Sequence, residues 1–215
     1  MSDDALEILK RDTVYQGFSR LDVYRLRHRL YSGEWSGEME REIFERGSTV
    51  GILLYDPDLD VVVLVTQLRL PPRLAGFPAY QLEIVAGILD KAGESEAEVA
   101  VRETQEEAGL TIIGAIEHVH RYMPSPGACT EIVDLFCGRV DARNAGGIHG
   151  LAHENEDIKV VVLPYREAMR QLRDDKIQNG LTILALYWLA ANRSRLRRKW
   201  NPAPAPDASA GAPKA

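Results

Sequence analysis

The sequence predicts an α/β protein in which a mixed β-sheet is clasped between helices and preceded by a small antiparallel β-sheet. Residues 61–65 form an unbroken aliphatic run, which is typical of a strand covered on both faces. Residues 95–108 read as one helix between predicted strands, and two further helical segments, 165–174 and 181–199, follow the last strand. Strands, one helix, more strands and then C-terminal helices indicate an α/β/α sandwich.

Residues 1–46 are predicted to form the first unit, an antiparallel sheet with one polar face. The Ser-Gly pairs at 32–33 and 36–37 are expected to be turns. The expected strands are residues 13–15, 21–27 and 38–44. A meander of this size buries little apolar surface, so we expect it to pack on the main domain or on a second subunit.

Residues 47–200 are predicted to form the main unit, and residues 201–215, which are rich in Pro, Ala, Gly and Ser, are expected to be disordered. The paired prolines 71–72 should end one strand, and residues 141–157 should be a polar loop. The remaining expected strands are residues 48–55, 61–70, 81–86, 111–122, 131–140 and 158–164.

Composition excludes several classes of protein. The net charge of -6 provides no basic patch for nucleic acid or anionic lipid. Two cysteines cannot form a disulfide framework, and the first twelve residues lack the apolar stretch of a signal peptide. The longest apolar runs fall short of the ~20 residues that span a bilayer. We expect a soluble, cytoplasmic protein.

The helix predicted at residues 95–108 has clear ends and a small-residue face. Ser95 suits the N-cap, and Gly109 suits a left-handed stop. Glu103 and Glu107 lie four residues apart at the edge of that face, with Glu106 about 60° further round. The residues expected to lie against the sheet are Ala97, Ala100, Val101, Thr104 and Ala108.

These three acids repel one another unless a positive charge lies between them. Carboxylate oxygens without neighbouring Cys or His suit Mg2+ or Mn2+ better than zinc, and such ions commonly hold phosphate oxygens as well. The alternative is a solvated acidic face that binds nothing.

The string at residues 102–110, preceded by Glu94 and Gly87, resembles the signature of the Nudix hydrolases, G-x5-E-x7-R-E-U-x-E-E-x-G-U, where U is apolar. Two departures occur. Six residues separate Gly87 from Glu94, and Thr104 stands where an aliphatic residue is usual. The extra residue lies ahead of the helix, so the helical acids keep their spacing and only the role of Glu94 is left open.

The resemblance extends over about residues 12–200, to the bacterial ADP-ribose pyrophosphatase branch of the family. Pro126 stands sixteen residues beyond Leu110, the position that marks ADP-ribose specificity, although it could be an ordinary loop proline. The other matching strings are residues 15–18, 41–47, 82–87 and 147–158.

The resemblance implies a set of metal ligands, namely the backbone carbonyl of Ala86 and the carboxylates of Glu103 and Glu107. Glu156 would reach a metal in the closed complex, and Glu106 would join the catalytic set as an accessory ligand. The cofactor would be Mg2+, with Mn2+ as the alternative, in two or three ions.

The resemblance also assigns roles around these ions. Glu154 would be the catalytic base, Arg102 would pair with acids to hold the loop, and Arg69 would contact the diphosphate. Without the resemblance, the acidic loop at 151–157 is usually solvated surface and Arg69 is equally well a surface residue at the end of a strand.

Family members are homodimers in which the N-terminal strands reach across to the partner. By that analogy Phe18 and Arg41 would sandwich adenine, Glu42 would contact it, and Glu131 would contact the terminal ribose from the other subunit. The plain alternative for an aromatic residue such as Phe18 is a place in the core.

These inferences predict a Mg2+-dependent hydrolase that cleaves ADP-ribose to AMP and ribose 5-phosphate. One alternative is a hydrolase of another nucleoside diphosphate sugar, such as GDP-mannose or UDP-glucose. The other is a catalytically silent Nudix fold that binds ADP-ribose or a nucleotide as a sensor.

Overall fold

The structure, a computed structural model, describes residues 5–200. Within them, an N-terminal antiparallel sheet has the strand order β1-β2-β3. Its strands are β1 (Leu6–Gln16), β2 (Arg20–His28) and β3 (Met39–Glu45). The predicted small antiparallel sheet is therefore confirmed, with a longer first strand than expected. The predicted disordered tail, residues 201–215, lies outside the described residues, and the division of the chain at residue 46 stays a prediction.

The second sheet is mixed, as predicted. β4 runs parallel to β9, whereas the other pairings of this sheet are antiparallel. The path through the sheet is β10-β11-β5-β4-β9-β8, with β6 added to β5 and β7 added to β4. The strands are β4 (Thr49–Asp56), β5 (Val61–Leu68), β6 (Tyr80–Glu83), β7 (Val85–Ile88), β8 (Glu117–Tyr122), β9 (Val133–Arg139), β10 (Ile148–His149) and β11 (Ile158–Pro164).

Helices cover both faces of this sheet, which confirms the predicted α/β/α sandwich. The helices are α1 (Leu70–Leu74), α2 (Glu96–Ala108), α3 (Tyr165–Arg173) and α4 (Gly180–Trp200). Alternate residues of β4 enter two cores: Ile52 packs on the side of α2, and Leu53 on the side of α3 and α4. Residues 62–65 are fully buried, as the aliphatic run predicted. None of the helices in residues 5–200 has the length and apolarity that crossing a bilayer requires.

The single strand predicted at residues 81–86 is wrong, because the chain changes partner there. β6 pairs with β5, where Glu83 lies opposite Val65, and β7 pairs with β4, where Val85 lies opposite Ile52. The residue between them, Ile84, donates its backbone N–H to the Thr182 side-chain oxygen of α4 at 3.0 Å. β6 and β7 therefore fill the gap where β4 and β5 separate.

Three other sequence expectations need correction. The strand predicted at 111–122 begins only at Glu117, because the preceding residues leave the ladder and pack beside α2 instead. The short helix α1 was not expected; its prolines, Pro71 and Pro72, lie in the first turn, where backbone N–H groups have no acceptor within the helix. The loop predicted at 141–157 contains β10 and a 3-10 helix, Ala152–Glu154.

Both predicted ends of α2 are confirmed, but its buried face is rotated from the predicted one. Ser95 forms a capping box with Glu98, and Gly109 adopts the left-handed conformation with φ 63°. The residues that α2 buries are Val99, Ala100, Thr104, Glu107 and Ala108. Ala97 and Val101 are exposed instead, because the helix turns the larger Val99 inward. This rotation carries Glu107 onto the side of the sheet.

The N-terminal sheet contacts the segment before β9 through a few backbone hydrogen bonds. The Phe44 N–H donates to the Ala128 carbonyl at 2.8 Å, and the Thr130 N–H donates to the Phe44 carbonyl at 3.3 Å. Many apolar side chains of β1 stay exposed, among them Ile8 at 55% and Val14 at 57%. The N-terminal sheet therefore contacts the main unit at one edge, and much of its apolar surface stays uncovered within the described residues, so whether a second subunit covers it stays a prediction.

Glu117 generates a prediction about stability. Arg195 forms a bidentate ion pair with Glu117 at 2.7 and 3.1 Å, and hydrogen bonding to it and to Lys199 lowers the pKa of Glu117 to about 2. A carboxyl group whose pKa is lowered by folding stabilises the fold at pH values above its ordinary pKa. That contribution is lost as the pH falls from about 4.5 to about 2. We expect Glu117→Gln to lower the unfolding free energy by about 1 kcal/mol at pH 7.

Urea denaturation of the wild type and Glu117→Gln at pH 7 and at pH 3.5 measures this difference. The gap between the two proteins should narrow at the lower pH. If the difference in unfolding free energy is the same at both pH values, the ion pair of Glu117 is not the cause of that difference.

Candidate active site

The close approach of α2 to β7 organises the site. A Cβ atom at Gly87 would lie 2.0 Å from Oε1 of Glu103, far inside van der Waals contact. Glycine at this position therefore allows the Glu103 carboxylate to lie against the strand backbone.

Glu107 lies one turn further along α2 and is almost fully enclosed, with 3% of its surface exposed. Its carboxylate accepts a hydrogen bond from the Ala86 N–H at 3.1 Å. Burial raises the pKa of Glu107 to about 8, and the nearby charges of Glu103 and Glu156 add to the effect. Burial also raises the pKa of Glu103. The site thus concentrates negative charge where water cannot screen it.

Arg102 links the helix to the loop that precedes it. Its guanidinium donates to both oxygens of Glu94, at 2.9 and 3.1 Å, and also to Glu103 at 2.7 Å and Glu106 at 2.9 Å. The predicted pairing of Arg102 with acids is confirmed. Glu94 therefore joins the loop before α2 to the helix through Arg102.

Thr104, the second departure from the signature, is accommodated without an unpaired polar group. It is fully buried, and its hydroxyl donates to the Ala100 carbonyl one turn earlier at 2.7 Å. A hydroxyl that is bonded in this way can replace an aliphatic group at the helix–sheet contact.

The acidic loop is attached to the end of α2. The Gly150 N–H donates to the Glu106 carbonyl at 3.2 Å, and the Leu151 N–H donates to the Glu156 carboxylate at 3.1 Å. Gly150 has φ 99°, so the turn there uses a conformation that favours glycine. These bonds bring a segment that follows α2 by some forty residues to the same site.

A cavity of about 450 Å³ opens between α2, the acidic loop and the turn after β1, and we call it the acidic cavity. Phe18, which is 92% exposed, lies at its rim, and Lys91 lines it from the loop before α2. Four of the predicted acids line it as well: Glu103, Glu106, Glu154 and Glu156.

A second cavity, of about 570 Å³, includes Ala86 in its lining, whereas the next residue, Gly87, lines the acidic cavity. We call it the arginine cavity, because Arg46 and Arg69 both line it. Glu131 also lines it and accepts a hydrogen bond from the Thr49 hydroxyl at 2.5 Å. Strand β7 therefore stands between a cavity rich in carboxylates and one that contains two guanidinium groups.

The structure does not bring all the predicted residues together. Arg41 and Glu42 lie exposed on β3 and line neither cavity. Conversely, the sequence interpretation did not identify Lys91, Glu83 or Asn179, although each lines one of the cavities. The extra residue before α2 was the available signal for Lys91, and a charged residue inside an apolar strand was the signal for Glu83.

The acids of the site fit divalent cations by their chemistry. Within residues 5–200 no three His, Cys, Asp or Glu side chains converge into a complete ligand set. Glu103 is turned toward Arg102, and Glu156 toward the Leu151 N–H. The donors are nonetheless all hard oxygens, and a cation beside Glu107 would offset the burial that raises the pKa of its carboxyl. Cations here would compete with Arg102 for Glu103.

Such an arrangement suits hydrolysis of a phosphate ester or anhydride. Carboxylates that hold divalent cations can bind phosphate oxygens through them, and a further acid on a loop can accept a proton from water. The guanidinium of Arg69 in the adjoining cavity offers planar donors to an anion.

Comparison with known proteins supports this interpretation. The family described as NUDIX domain matches residues 45–184. The ADP-ribose pyrophosphatase of Escherichia coli strain K12 is 44% identical over 195 residues, covering 91% of this chain and 92% of the relative. The GDP-mannose pyrophosphatase of Cronobacter sakazakii is 35% identical over 156 residues, covering 70% and 77% respectively. A solved structure described as an ADP compounds hydrolase superposes with a TM-score of 0.68 at 20% identity, covering 92% of this chain and 99% of the other.

The contact between Gly87 and Glu103 generates a prediction about cation binding. In Gly87→Ala the new methyl group must displace the Glu103 carboxylate, whereas the fold can survive because the obstacle is the end of a flexible side chain. We expect the affinity for Mg2+ to fall by about tenfold or more. The melting temperature, measured at increasing concentrations of MgCl2, reports this affinity.

Gly37→Ala is the matched control, because a Cβ at Gly37 would meet nothing within 4 Å. It should bind Mg2+ as the wild type does. Equal Mg2+ responses in the wild type and Gly87→Ala would contradict the assignment of Glu103 to a cation site.

Proposed function

The chain belongs to the Nudix family, and on this premise we propose that it is a metal-dependent pyrophosphatase that cleaves ADP-ribose to AMP and ribose 5-phosphate. The observation that carries this proposal is the acidic cavity, where Glu103 and Glu106 from α2 meet Glu154 and Glu156 from a distant loop. The 44% identity to an ADP-ribose pyrophosphatase over nearly the whole chain supports the choice of substrate.

Nudix pyrophosphatases generally need divalent cations, and we propose Mg2+ here, with Mn2+ as the alternative, in two or three ions. When bound, the cations would neutralise the diphosphate oxygens and the charge that develops as the anhydride bond breaks. Glu103, Glu107 and the Ala86 carbonyl would hold them, Glu106 would assist as an accessory ligand, and Glu156 would join when the loop closes.

The remaining residues of the site act on water and on the substrate. Glu154 is 55% exposed on the short 3-10 helix, within reach of solvent, and would take a proton from the attacking water. That water adds to one phosphorus while the bridging P–O bond breaks, which leaves one phosphate on each product. Arg69 would hold the diphosphate from the side of the arginine cavity.

The two ends of the substrate would bind on either side of the diphosphate. Phe18 is the exposed aromatic group at the rim of the acidic cavity and would stack on adenine. Arg41 and Glu42, which line neither cavity of their own chain, would approach adenine from a partner subunit. Glu131, which lines the arginine cavity of its own chain, would contact the terminal ribose from the other subunit.

We also propose a homodimer in which residues 1–46 form the dimerisation unit and residues 47–200 the catalytic unit. Exposed apolar side chains on β1, among them Leu6 and Tyr15, support this arrangement, because a partner would cover them. A reducing cytoplasm suits the free cysteines Cys129 and Cys137.

Hydrolysis of GDP-mannose is the second candidate, favoured by the relative that is 35% identical. That match covers 70% of this chain, whereas the match to the ADP-ribose enzyme covers 91%. We therefore expect kcat/KM for ADP-ribose at fixed Mg2+ to exceed that for GDP-mannose by about 100-fold or more. Phosphatase-coupled release of phosphate from the products measures both, and a preference for GDP-mannose or UDP-glucose would overturn the assignment.

Glu107→Gln separates catalysis from mere binding. Removing the buried charge should lower kcat by at least about 1,000-fold, because the cations lose a ligand while the isosteric amide preserves packing. Glu154→Gln should also lower kcat, and excess chelator should abolish wild-type turnover. A catalytically silent sensor would instead bind ADP-ribose without turnover in the wild type. A wild-type rate in Glu107→Gln would refute the assignment of Glu107 as a cation ligand.

A further inference from the structure

Arg69 is held in a fixed orientation by a buried carboxylate. It follows the last residue of β5, and its Nε and Nη2 both donate to Oε2 of Glu83, at 3.0 and 2.9 Å. The Glu83 side chain is only 7% exposed, whereas that of Arg69 is 41% exposed and lines the arginine cavity. A guanidinium has five N–H donors, so this pairing leaves others available to an anion.

The other oxygen of Glu83 is held from a different element. Oε1 accepts a hydrogen bond from Nδ2 of Asn179, the residue before α4, at 2.9 Å. Both oxygens of this buried carboxylate therefore have partners, and their directions are set by β5 on one side and α4 on the other. A side chain restrained in this way has little freedom to rotate.

Asn179 is itself fixed by the helix that it caps. Its Oδ1 accepts hydrogen bonds from the Thr182 N–H at 2.9 Å and the Thr182 hydroxyl at 3.1 Å. The Thr182 oxygen in turn accepts the N–H of Ile84, the residue directly after Glu83. These bonds close a ring from the end of β6 through the start of α4 and back to Glu83.

We propose that Glu83 and Asn179 are positioning residues that orient Arg69 toward the diphosphate. This inference rests on the proposed function, because it takes Arg69 as a contact of the substrate. Glu83 acts through Arg69, and Asn179 acts through Glu83. The helix α4, which lies on the face of the sheet opposite α2, thereby contributes to substrate binding without touching the substrate.

A double-mutant cycle tests the link between Glu83 and Arg69. Glu83→Gln should lower kcat/KM for ADP-ribose by about tenfold to 100-fold, mainly through KM, because a misplaced contact weakens substrate binding. In the Arg69→Ala background the same substitution should cost less than about twofold, since nothing is left to position. A merely structural role would lower the fraction of active enzyme and leave KM unchanged.

Asn179→Ser separates positioning from helix capping. Serine caps helices nearly as well as asparagine, so α4 and the melting temperature should be preserved. Its shorter side chain lacks the amide donor to Glu83, and KM should rise about threefold to tenfold. Glu117→Gln is the matched control, because it breaks a comparable Arg–Glu pair that lines neither cavity; it should lower the melting temperature and leave KM unchanged.

The outcomes separate this inference from the proposed function. A wild type that does not hydrolyse ADP-ribose overturns the proposed function. In that case the double-mutant cycle is repeated by calorimetric titration with ADP, which measures the binding affinity of the wild type, the two single variants and the double variant. An unchanged KM in Glu83→Gln, or an equal loss with and without Arg69, overturns the positioning role. If Glu83→Gln does not fold, the Asn179→Ser variant decides, and an unchanged KM there also overturns it.

Discussion

The site depends on keeping negative charges close together against a strand backbone. Glu103 lies over Gly87, Glu107 is buried beside Ala86, and Arg102 holds Glu103 and Glu106 from the other side. A single guanidinium cannot neutralise this number of carboxylates, and burial raises the pKa of two of them. The fold therefore carries an electrostatic cost that divalent cations are suited to remove.

The positions of these charges depend on the point where the chain leaves strand β5 as its pairing partner and begins to pair with β4. Because β4 and β5 separate, the segment from β6 to β7 passes from one to the other. Its residues line the arginine cavity as far as Ala86 and the acidic cavity from Gly87 onward. Glu83 at the end of β6 faces the arginine cavity, while Gly87 in β7 lines the acidic one. One short segment thus forms part of the wall of both cavities.

Most of the fold and the acids of α2 could be predicted from the sequence, because they depend on local patterns. The aliphatic run at 61–65, the N-cap Ser95 and the stop at Gly109 need no distant information. The break at Ile84 could not be predicted, because residues 81–86 suit one strand equally well and the break depends on two tertiary partners. Glu83 and Asn179, 96 positions apart, meet only through the three-dimensional arrangement of β6 and α4.

Phe18 lies on the turn between β1 and β2 of the N-terminal sheet, whereas the acids that line the same cavity lie on α2 and on the acidic loop. Under the proposed function, the part of the chain that selects the nucleobase is built separately from the part that breaks the anhydride. Substitutions in the N-terminal sheet can then change the preference for the nucleobase without changing the residues that hydrolyse the anhydride. Divergence of such enzymes toward new nucleotide substrates would therefore begin in β1–β3 rather than in α2.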